Sequence, residues 1–157
     1  MKNSTLAAVE NELVTSRRFD APRDEVFRAF IEPESLRRWW GPKGFTNTFE
    51  EFDPRVGGNW RFIMHGPNGA NYPNHHIFME IVRPERLVLV HLSRPQFEIA
   101  FTLTEEDGGT RLEWRMKFAT AEECARIKTY AAEANEQNLD RLGVEIRKMA
   151  SLAVKET

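Results

Sequence analysis

Residues 110–118 read Thr-Arg-Leu-Glu-Trp-Arg-Met-Lys-Phe, in which a small or apolar side chain alternates with a charged one. Because successive side chains of a β-strand point to opposite faces, this segment predicts a strand with one dry and one solvated face. The period then changes, and apolar residues recur every three or four positions at Leu139, Leu142, Ile146, Met149 and Ala153. Together with a capping box at Thr120 and Glu123, this spacing predicts a last helix of about 30 residues.

The two-residue period of this strand extends back along the chain to Phe45. Turn-forming Gly, Pro, Asn and Asp interrupt it at residues 53–58, 66–69, 83–86 and 107–109. The segments between these turns predict six or seven antiparallel strands. In the last helix, residues 133–138 are more polar than either end, which predicts a bend, a break or an opening there.

Upstream of the sheet, Leu13–Phe19 has the pattern of a first strand. Pro22 lies near the start of a predicted helix with an apolar stripe of Val26, Phe27, Phe30 and Ile31. A second short helix is predicted from Pro33 to Trp39-Trp40, because Gly41-Pro42 ends it. The expected fold is α+β, a curved antiparallel sheet of six to seven strands around a long C-terminal helix, with two short helices after the first strand.

The bulk composition limits the classes of function. The 157 residues predict a single domain, residues 1–157, with an ordered core at about 12–152. The net charge is −2 and the arginines are dispersed, which argues against nucleic acid as a partner.

One cysteine excludes an internal disulfide and, with a start that does not match a signal peptide, favours a cytoplasmic location. The longest aliphatic run is Leu87–Val90, so no membrane insertion is predicted.

The dry face of the predicted sheet carries unusually bulky side chains, including Trp60 and Trp114. A sheet that curls around a helix without closing completely leaves a gap lined by aromatic residues and Met, which is typical of a small-molecule cavity. The predicted ligand-binding residues are Trp39, Phe45, Trp60, Phe62, Met64, His76, Phe78, His91, Phe101, Trp114, Met116, Tyr130 and Leu142. The alternative is a fully packed core, and a core without any void would exclude the binding hypothesis.

The pair His75-His76 is the nearest approach to a metal motif. Neighbouring side chains on a strand face opposite sides and cannot chelate one ion together, so no metal site is predicted. One of the two must face inward. With His91, it could donate a hydrogen bond to a polar ligand group or act as an acid or base; the alternative is a histidine paired with backbone or water. The chain contains no phosphate-cradling loop or dinucleotide fingerprint, and no cofactor is predicted.

Carboxylates and the single thiol are further candidates for chemistry. Acidic residues that could supply a catalytic carboxylate are Glu50, Glu51, Asp53 and Glu80. Asp53 is expected to organise its turn, and the adjacent Glu50 and Glu51 cannot both face the interior, so no catalytic residue is assigned. Cys124 lies one turn into the last helix, where the helix dipole could lower its pKa; the alternative is a small buried residue.

Several motifs occur together along the chain. They are Phe19-Asp20-Ala21-Pro22, Pro33-Glu34-Ser35-Leu36, Trp39-Trp40-Gly41-Pro42, Asp53-Pro54-Arg55-Val56-Gly57-Gly58-Asn59-Trp60, Pro84-Glu85-Arg86-Leu87-Val88 and Gly108-Gly109-Thr110-Arg111-Leu112. In this order and spacing, the chain resembles the Hsp90-ATPase-activator-like family of the START/Bet v 1-like superfamily, from about Leu13 to about Met149. The resemblance implies a helix-grip fold with an internal cavity for lipids, hormones or polyketide-like molecules. Where relatives often have Gly-Trp, this chain has Glu136-Gln137, a departure on the helix side of the expected pocket.

Three hypotheses about function follow. The first is a protein that binds an apolar, aromatic or polyketide-like small molecule in the cavity. The second, which the superfamily resemblance implies, is an enzyme of the cyclase, dehydratase or hydrolase type that uses a cavity histidine or carboxylate. The third is a protein partner of an Hsp90-type chaperone. A homodimer formed through apolar sheet edges is a further hypothesis about partners.

Overall fold

The computed structural model of the protein describes residues 11–156, and the side chains of residues 11–152. The expectations about the first ten residues and about the side chain of Ala153 lie outside the described residues. In chain order the elements are β1 (Glu12–Phe19), α1 (Arg23–Ile31), α2 (Pro33–Trp39), β2 (Thr46–Phe52), β3 (Asn59–His65), β4 (Asn71–Val82), β5 (Arg86–His91), β6 (Phe97–Glu106), β7 (Gly109–Lys117) and α3 (Ala121–Glu156).

The strands form one antiparallel sheet in the order β1-β7-β6-β5-β4-β3-β2. The first strand therefore lies beside the last, with Glu12 opposite Lys117 and Phe19 opposite Thr110. The sheet curves around α3, and the two short helices follow β1, so the predicted helix-grip fold is confirmed. None of the helices within the described part of the chain combines the length and apolar character that crossing a bilayer requires.

The core lies between the concave face of the sheet and the three helices. The apolar side of β7 is buried along its whole length, through Thr110, Leu112, Trp114 and Met116, as its alternation predicted. Helix α1 contributes a stripe of buried residues: Val26, Phe27, Ala29 and Phe30. The C-terminal half of α3 completes this part of the core with Leu139 and Leu142, neither of which is accessible to solvent.

Helix α2 ends where the sequence predicts. Gly41 has a φ of +98°, a left-handed conformation that costs glycine little and most other residues more. The carbonyl groups at this end accept hydrogen bonds from two side chains of α3. Asn138 Nδ2 donates to the Trp39 carbonyl at 2.8 Å, and the Arg141 guanidinium donates to the carbonyls of Arg38, Trp40, Gly41 and Pro42 at 2.7–3.2 Å. The C-terminal end of α2 is therefore held by side chains of α3 that lie about one hundred residues later in the sequence.

The prediction of a break in the last helix is wrong, since α3 is one continuous helix of 36 residues. Its polar middle is instead used in tertiary contacts. Glu136 and Asp140 form ion pairs with Arg17 of β1 at 2.7 and 2.6 Å, and Gln137 accepts a hydrogen bond from the Lys43 backbone at 3.2 Å. The polar run thus marks a place where α3 meets other elements, and it also borders the cavity described below.

Candidate functional site

The sheet and α3 do not close completely, and a cavity of about 150 Å³, the inner chamber, lies between them. The loop after α2 contributes Trp40, Gly41 and Pro42 to its wall. Strand β7 contributes Trp114 and Met116. The remaining wall residues come from β3 to β6 and from the polar middle of α3: Met64, Asn74, His76, His91, Phe97, Ile99, Ala134, Asn135 and Asn138. The chamber is therefore bounded by the segment that the sequence predicted to contain an opening.

A second and larger space of about 690 Å³, the outer groove, adjoins the inner chamber. The two share wall residues on the sheet and on α3, including Met64, Met116 and Ala134. The other residues that line the groove are mostly aromatic or aliphatic, with one asparagine and one arginine: Phe45, Asn71, Tyr72, Pro73, Arg94, Pro95, Ile127, Tyr130 and Ala131. Tyr72 and Tyr130 are 45% and 62% exposed, so both aromatic rings are available to a molecule entering from outside.

The structure divides the thirteen predicted ligand-binding residues into two groups. On the walls of the chamber or groove lie Phe45, Met64, His76, His91, Trp114, Met116 and Tyr130. Buried behind these walls in the core lie Trp39, Trp60, Phe62, Phe78, Phe101 and Leu142. The second group is separated from the cavity because other side chains cover it. Trp60 and Phe62, for example, stack on the ring of His76.

Sequence reasoning missed several wall residues. Trp40 was treated as the end of a helix, whereas its ring packs against Trp114 with ring centroids 5.7 Å apart and forms part of the chamber wall. Asn135 and Asn138 belong to the polar run of α3, so the prediction of an opening there was the signal that could have identified them. The missed residues of the groove, such as Pro95 and Ile127, carry no comparable sequence signal.

His76 is the inward-facing member of the histidine pair, and only 2% of it is exposed. Its ring stacks on Trp60 and Phe62 at centroid distances of 4.9 and 5.6 Å, and Trp40 lies perpendicular to it at 6.2 Å. Neither ring nitrogen has a hydrogen-bonding partner among the described residues. Burial, together with the nearby histidines, lowers the pKa of His76 well below its usual value, so the ring is neutral at pH 7.

His75 faces the opposite side of the sheet, where its Nε2 lies 2.9 Å from Asn59 Oδ1. Burial, with the positive charge of Arg61, lowers the pKa of His75 from its usual value. Adjacent histidines of one strand therefore occupy different environments: His76 lies among aromatic rings at the chamber wall, and His75 is hydrogen-bonded on the outer face.

His91 lies beside His76 on the neighbouring strand, with ring centroids 5.0 Å apart. Its Nδ1 donates a hydrogen bond to the Pro95 carbonyl at 2.8 Å, which places a proton on that nitrogen. Its Nε2 lies 2.7 Å from the Asn74 side-chain oxygen and 3.1 Å from the Ser93 hydroxyl, from which it can accept a hydrogen bond. Burial lowers the pKa of His91, and the hydrogen bond to Pro95 partly opposes this effect. His91 is therefore a fixed, oriented wall residue, in contrast to His76.

Other polar groups near the inner chamber are incompletely hydrogen-bonded. The indole nitrogens of Trp60 and Trp114 lack a partner within residues 11–156. Asn135 Nδ2 donates to the Met116 sulfur at 3.4 Å, and a thioether is a weak acceptor. By contrast, Asn138 both donates to the Trp39 carbonyl and accepts from the Gly41 backbone. The chamber thus combines apolar walls with a small set of polar atoms that have spare hydrogen-bonding capacity.

Three of the four carboxylates considered as catalytic candidates are paired with arginines on the outer surface, and the fourth, Glu50, is exposed. Glu51 pairs with Arg61 at 3.1 Å, Asp53 with Arg55 at 2.7 Å and Glu80 with Arg86 at 2.7 Å. The described residues contain no group of three His, Cys, Asp or Glu side chains that could hold a metal ion.

Cys124 has the properties of the buried alternative. Only 1% of this residue is exposed, and burial raises the pKa of its thiol, which is the opposite of what an activated nucleophile requires.

Residues 20–146 match a protein family described as Activator of Hsp90 ATPase homolog 1-like protein. Solved structures share the fold. A protein from Nitrosomonas europaea is 22% identical with a TM-score of 0.82, covering 90% of this chain and 97% of that one. A protein from Rhodobacter sphaeroides is 25% identical with a TM-score of 0.81, covering 88% and 94%. A protein from Arthrobacter aurescens is 21% identical with a TM-score of 0.82, covering 88% and 87%. No curated protein sequence matches the chain.

Proposed function

The chain belongs to the Activator of Hsp90 ATPase homolog 1-like family, and we propose that it binds an apolar or aromatic small molecule in the inner chamber and outer groove. The observation that carries this proposal is the apolar cavity left between the sheet and α3. Protein interiors normally pack closely, with few voids larger than a water molecule. A gap of this size therefore does not serve the stability of the domain.

The dimensions of the cavity suit a small organic molecule. A dry cavity of about 150 Å³ is large enough for one benzene-sized ring, and the inner chamber has this volume. The outer groove, at about 690 Å³, falls in the range of about 300–1,000 Å³ that is usual for small-molecule sites. A ligand with one ring in the chamber and the rest of its body in the groove would fill both.

The chemistry of the walls favours an apolar ligand. The residues that line the inner chamber are aromatic, aliphatic, thioether, imidazole or amide side chains, and none of them carries a full charge at pH 7. Burying the apolar surface of a ligand here is favourable by about 25 cal/mol for each Å² removed from water. An ion would lose its hydration without gaining a counter-charge, which is strongly unfavourable.

Native mass spectrometry followed by solvent extraction tests whether a small organic molecule accompanies the purified protein. A titration with the neutral dye Nile red provides the quantitative test, together with two variants of adjacent residues on α3. Ala134→Phe places a ring in the wall that the chamber and groove share, whereas Glu133→Phe adds the same ring at an exposed position that lines neither space.

We expect saturable binding of Nile red by the wild-type protein and by Glu133→Phe, and at least about tenfold weaker binding by Ala134→Phe, which corresponds to about 1.4 kcal/mol. The absence of saturable binding, or equal binding by both variants, would contradict the proposal. Circular dichroism spectra of the three proteins check that each is folded.

A second candidate function is acid–base catalysis of the cyclase, dehydratase or hydrolase type. The observation that favours it is the proximity of two imidazoles, His76 and His91, on the wall of the chamber. A His91→Asn variant would then lose turnover of any substrate that the extraction identifies, while still binding it. The Hsp90-type partner and the homodimer remain predictions, which chaperone ATP-turnover assays and the native mass of the particle would test.

A further inference from the structure

We propose that the inner chamber selects a neutral aromatic ring bearing a hydroxyl or carbonyl group, and that His76 is the residue that hydrogen-bonds this group. This inference rests on the proposed function, because it specifies the chemistry of the molecule that the cavity binds. It assigns to His76 a role in specificity rather than in packing alone.

The hydrogen-bonding capacity of the His76 ring is unused within the described residues. A buried polar atom without a hydrogen bond costs the protein about 1–3 kcal/mol, and both ring nitrogens of His76 are in this state within the described chain. An apolar side chain such as phenylalanine would stack equally well on Trp60 and Phe62 without this cost. A histidine in this position therefore has a cost to stability that hydrogen bonding to a ligand would offset.

Residues around His76 also have unused hydrogen-bonding capacity. The ring belongs to the chamber wall, and so does Trp114, whose indole nitrogen also lacks a partner among the described residues. On α3, Asn135 donates only weakly, to the Met116 sulfur. Seven buried side-chain nitrogen and oxygen atoms lack a partner among the described residues, and four of them belong to Trp60, His76 and Trp114, at or directly behind the chamber wall; the other three belong to Arg23, Asn47 and Glu123. By contrast, Trp39, buried in the packed core, donates its indole N–H to the Ala29 carbonyl at 2.8 Å.

The uncharged wall of the inner chamber determines which chemical groups it can bind. A neutral imidazole has one donor and one acceptor nitrogen, so a hydroxyl or carbonyl group can complement it. A carboxylate or ammonium group cannot be accommodated well, because no lining residue of the chamber supplies an opposite charge. The chamber volume of about 150 Å³ limits the head group to a single ring.

Phenol, toluene and benzoate are matched probes for this inference, because they place a hydroxyl, a methyl and a carboxylate on the same ring. Their dissociation constants would be measured by NMR titration at pH 7.5 for the wild-type protein, for His76→Phe and for His75→Phe. The last variant is the control, since it makes the same substitution in the adjacent residue on the outer face of the sheet.

Loss of one or two hydrogen bonds corresponds to a change of about tenfold in affinity. We therefore expect the affinity of phenol relative to toluene to fall about tenfold in His76→Phe and to stay at the wild-type value in His75→Phe. Benzoate should bind the wild-type protein more weakly than phenol. An unchanged phenol-to-toluene ratio in His76→Phe, or benzoate binding as tight as phenol, would overturn the inference.

The experiment separates this inference from the proposed function. If none of the three probes binds the wild-type protein, the proposed function fails; if they bind without the expected selectivity, only the role of His76 fails. Should His76→Phe not fold, the imidazole nitrogen resonances of His76 in the wild-type protein decide the question. We expect phenol to shift them by changing their hydrogen bonding, and toluene to leave them close to the ligand-free values. Equal shifts with both probes would contradict the role of His76.

Discussion

Two regions of this domain treat buried polar groups differently. In the packed region, formed by α1, α2 and the C-terminal half of α3, Trp39 donates to the Ala29 carbonyl and the Ser35 hydroxyl donates to the Glu145 carboxylate. In the cavity region, around the inner chamber, the indole of Trp114 and both nitrogens of His76 have no partner among the described residues. Within the described residues, the packed region therefore pairs its buried side-chain donors with protein acceptors, with Arg23 Nε at the start of α1 as an exception, whereas the wall of the inner chamber keeps several polar atoms without a protein partner.

The largest change in the free energy of unfolding is expected from a substitution in the packed region. Leu142 is fully buried, and we expect Leu142→Ala to lower the free energy of unfolding by about 2–5 kcal/mol, because it leaves a cavity among close-packed side chains. Urea unfolding monitored by circular dichroism measures the change. Val144→Ala on the same helix is the control, since Val144 is exposed and should change stability by no more than about 0.5 kcal/mol. Similar losses in the two variants would contradict the assignment of Leu142 to the packed region.

The junction between the two regions should give the next largest effect. Arg141 donates to four carbonyls at the end of α2, and Arg141→Met removes all four hydrogen bonds. We expect a loss of about 1–3 kcal/mol in the free energy of unfolding, since the bonds are charge-assisted and the carbonyls lose their partner. The matched control is Arg126→Met at an exposed position of the same helix. Equal stability of Arg141→Met and the wild-type protein would show that water replaces the guanidinium at no cost.

In the cavity region, replacing His76 should stabilise the ligand-free protein. His76→Phe removes two unsatisfied nitrogens and keeps the stacking on Trp60, so we expect a gain of about 1 kcal/mol in the free energy of unfolding at pH 7.5. The gain should increase as the pH falls below about 6.5, the unperturbed value for histidine. There the unfolded wild-type chain binds a proton at His76, but the folded protein, with its lowered pKa, does not.

The slope of this pH dependence is at most about 1.4 kcal/mol per pH unit for one group. Urea unfolding of both proteins at pH 7.5, 6.5 and 5.5 measures it, and the wild-type protein should lose stability faster than the variant. Parallel curves, or a variant less stable than the wild-type protein at pH 7.5, would show that His76 is satisfied in solution.

The smallest effect is expected at the mouth of the outer groove. Tyr130 is largely exposed, so Tyr130→Ser should change the free energy of unfolding by no more than about 0.5 kcal/mol. It should weaken Nile red binding about two- to fivefold, because the dye loses contact with one ring. Leu152→Ser removes an exposed apolar side chain that lines neither space and serves as the control. A loss of dye affinity as large in Leu152→Ser would show that the dye binds outside the groove.

The architecture was predictable because it depends on local periodicity. The alternation in residues 110–118 and the later spacing of Leu139 and Leu142 define elements within single segments of the chain. Gly41 ended α2 for a reason that is equally local, its tolerance of a positive φ. The inward orientation of His76 was not predicted, although Phe78, two residues further on, shares its face of β4 and is buried.

The division of the aromatic residues between core and cavity could not be predicted from the same patterns. Trp60, Trp114 and Phe62 all belong to the dry face of the sheet, but whether such a residue lines the chamber depends on the position of α3. That position is set by contacts distant in sequence, such as those of Arg17 with Glu136 and of Asn138 with the α2 terminus. A run of polar residues in a predicted helix is equally consistent with such tertiary contacts and with a break in the helix.

The continuous helix α3 is held by different kinds of contact along its length. Its second half is fixed by the hydrogen bonds of Asn138 and Arg141 to α2, whereas its first half rests on the sheet through the apolar side chains of Cys124, Ile127 and Ala131. Apolar side chains can shift against one another without losing a directed interaction, whereas a shift of the second half of α3 would break hydrogen bonds. If the proposed function holds, we expect a ligand larger than the resting cavity to displace the first half of α3 before the second, so that the extra space opens on the side of the outer groove.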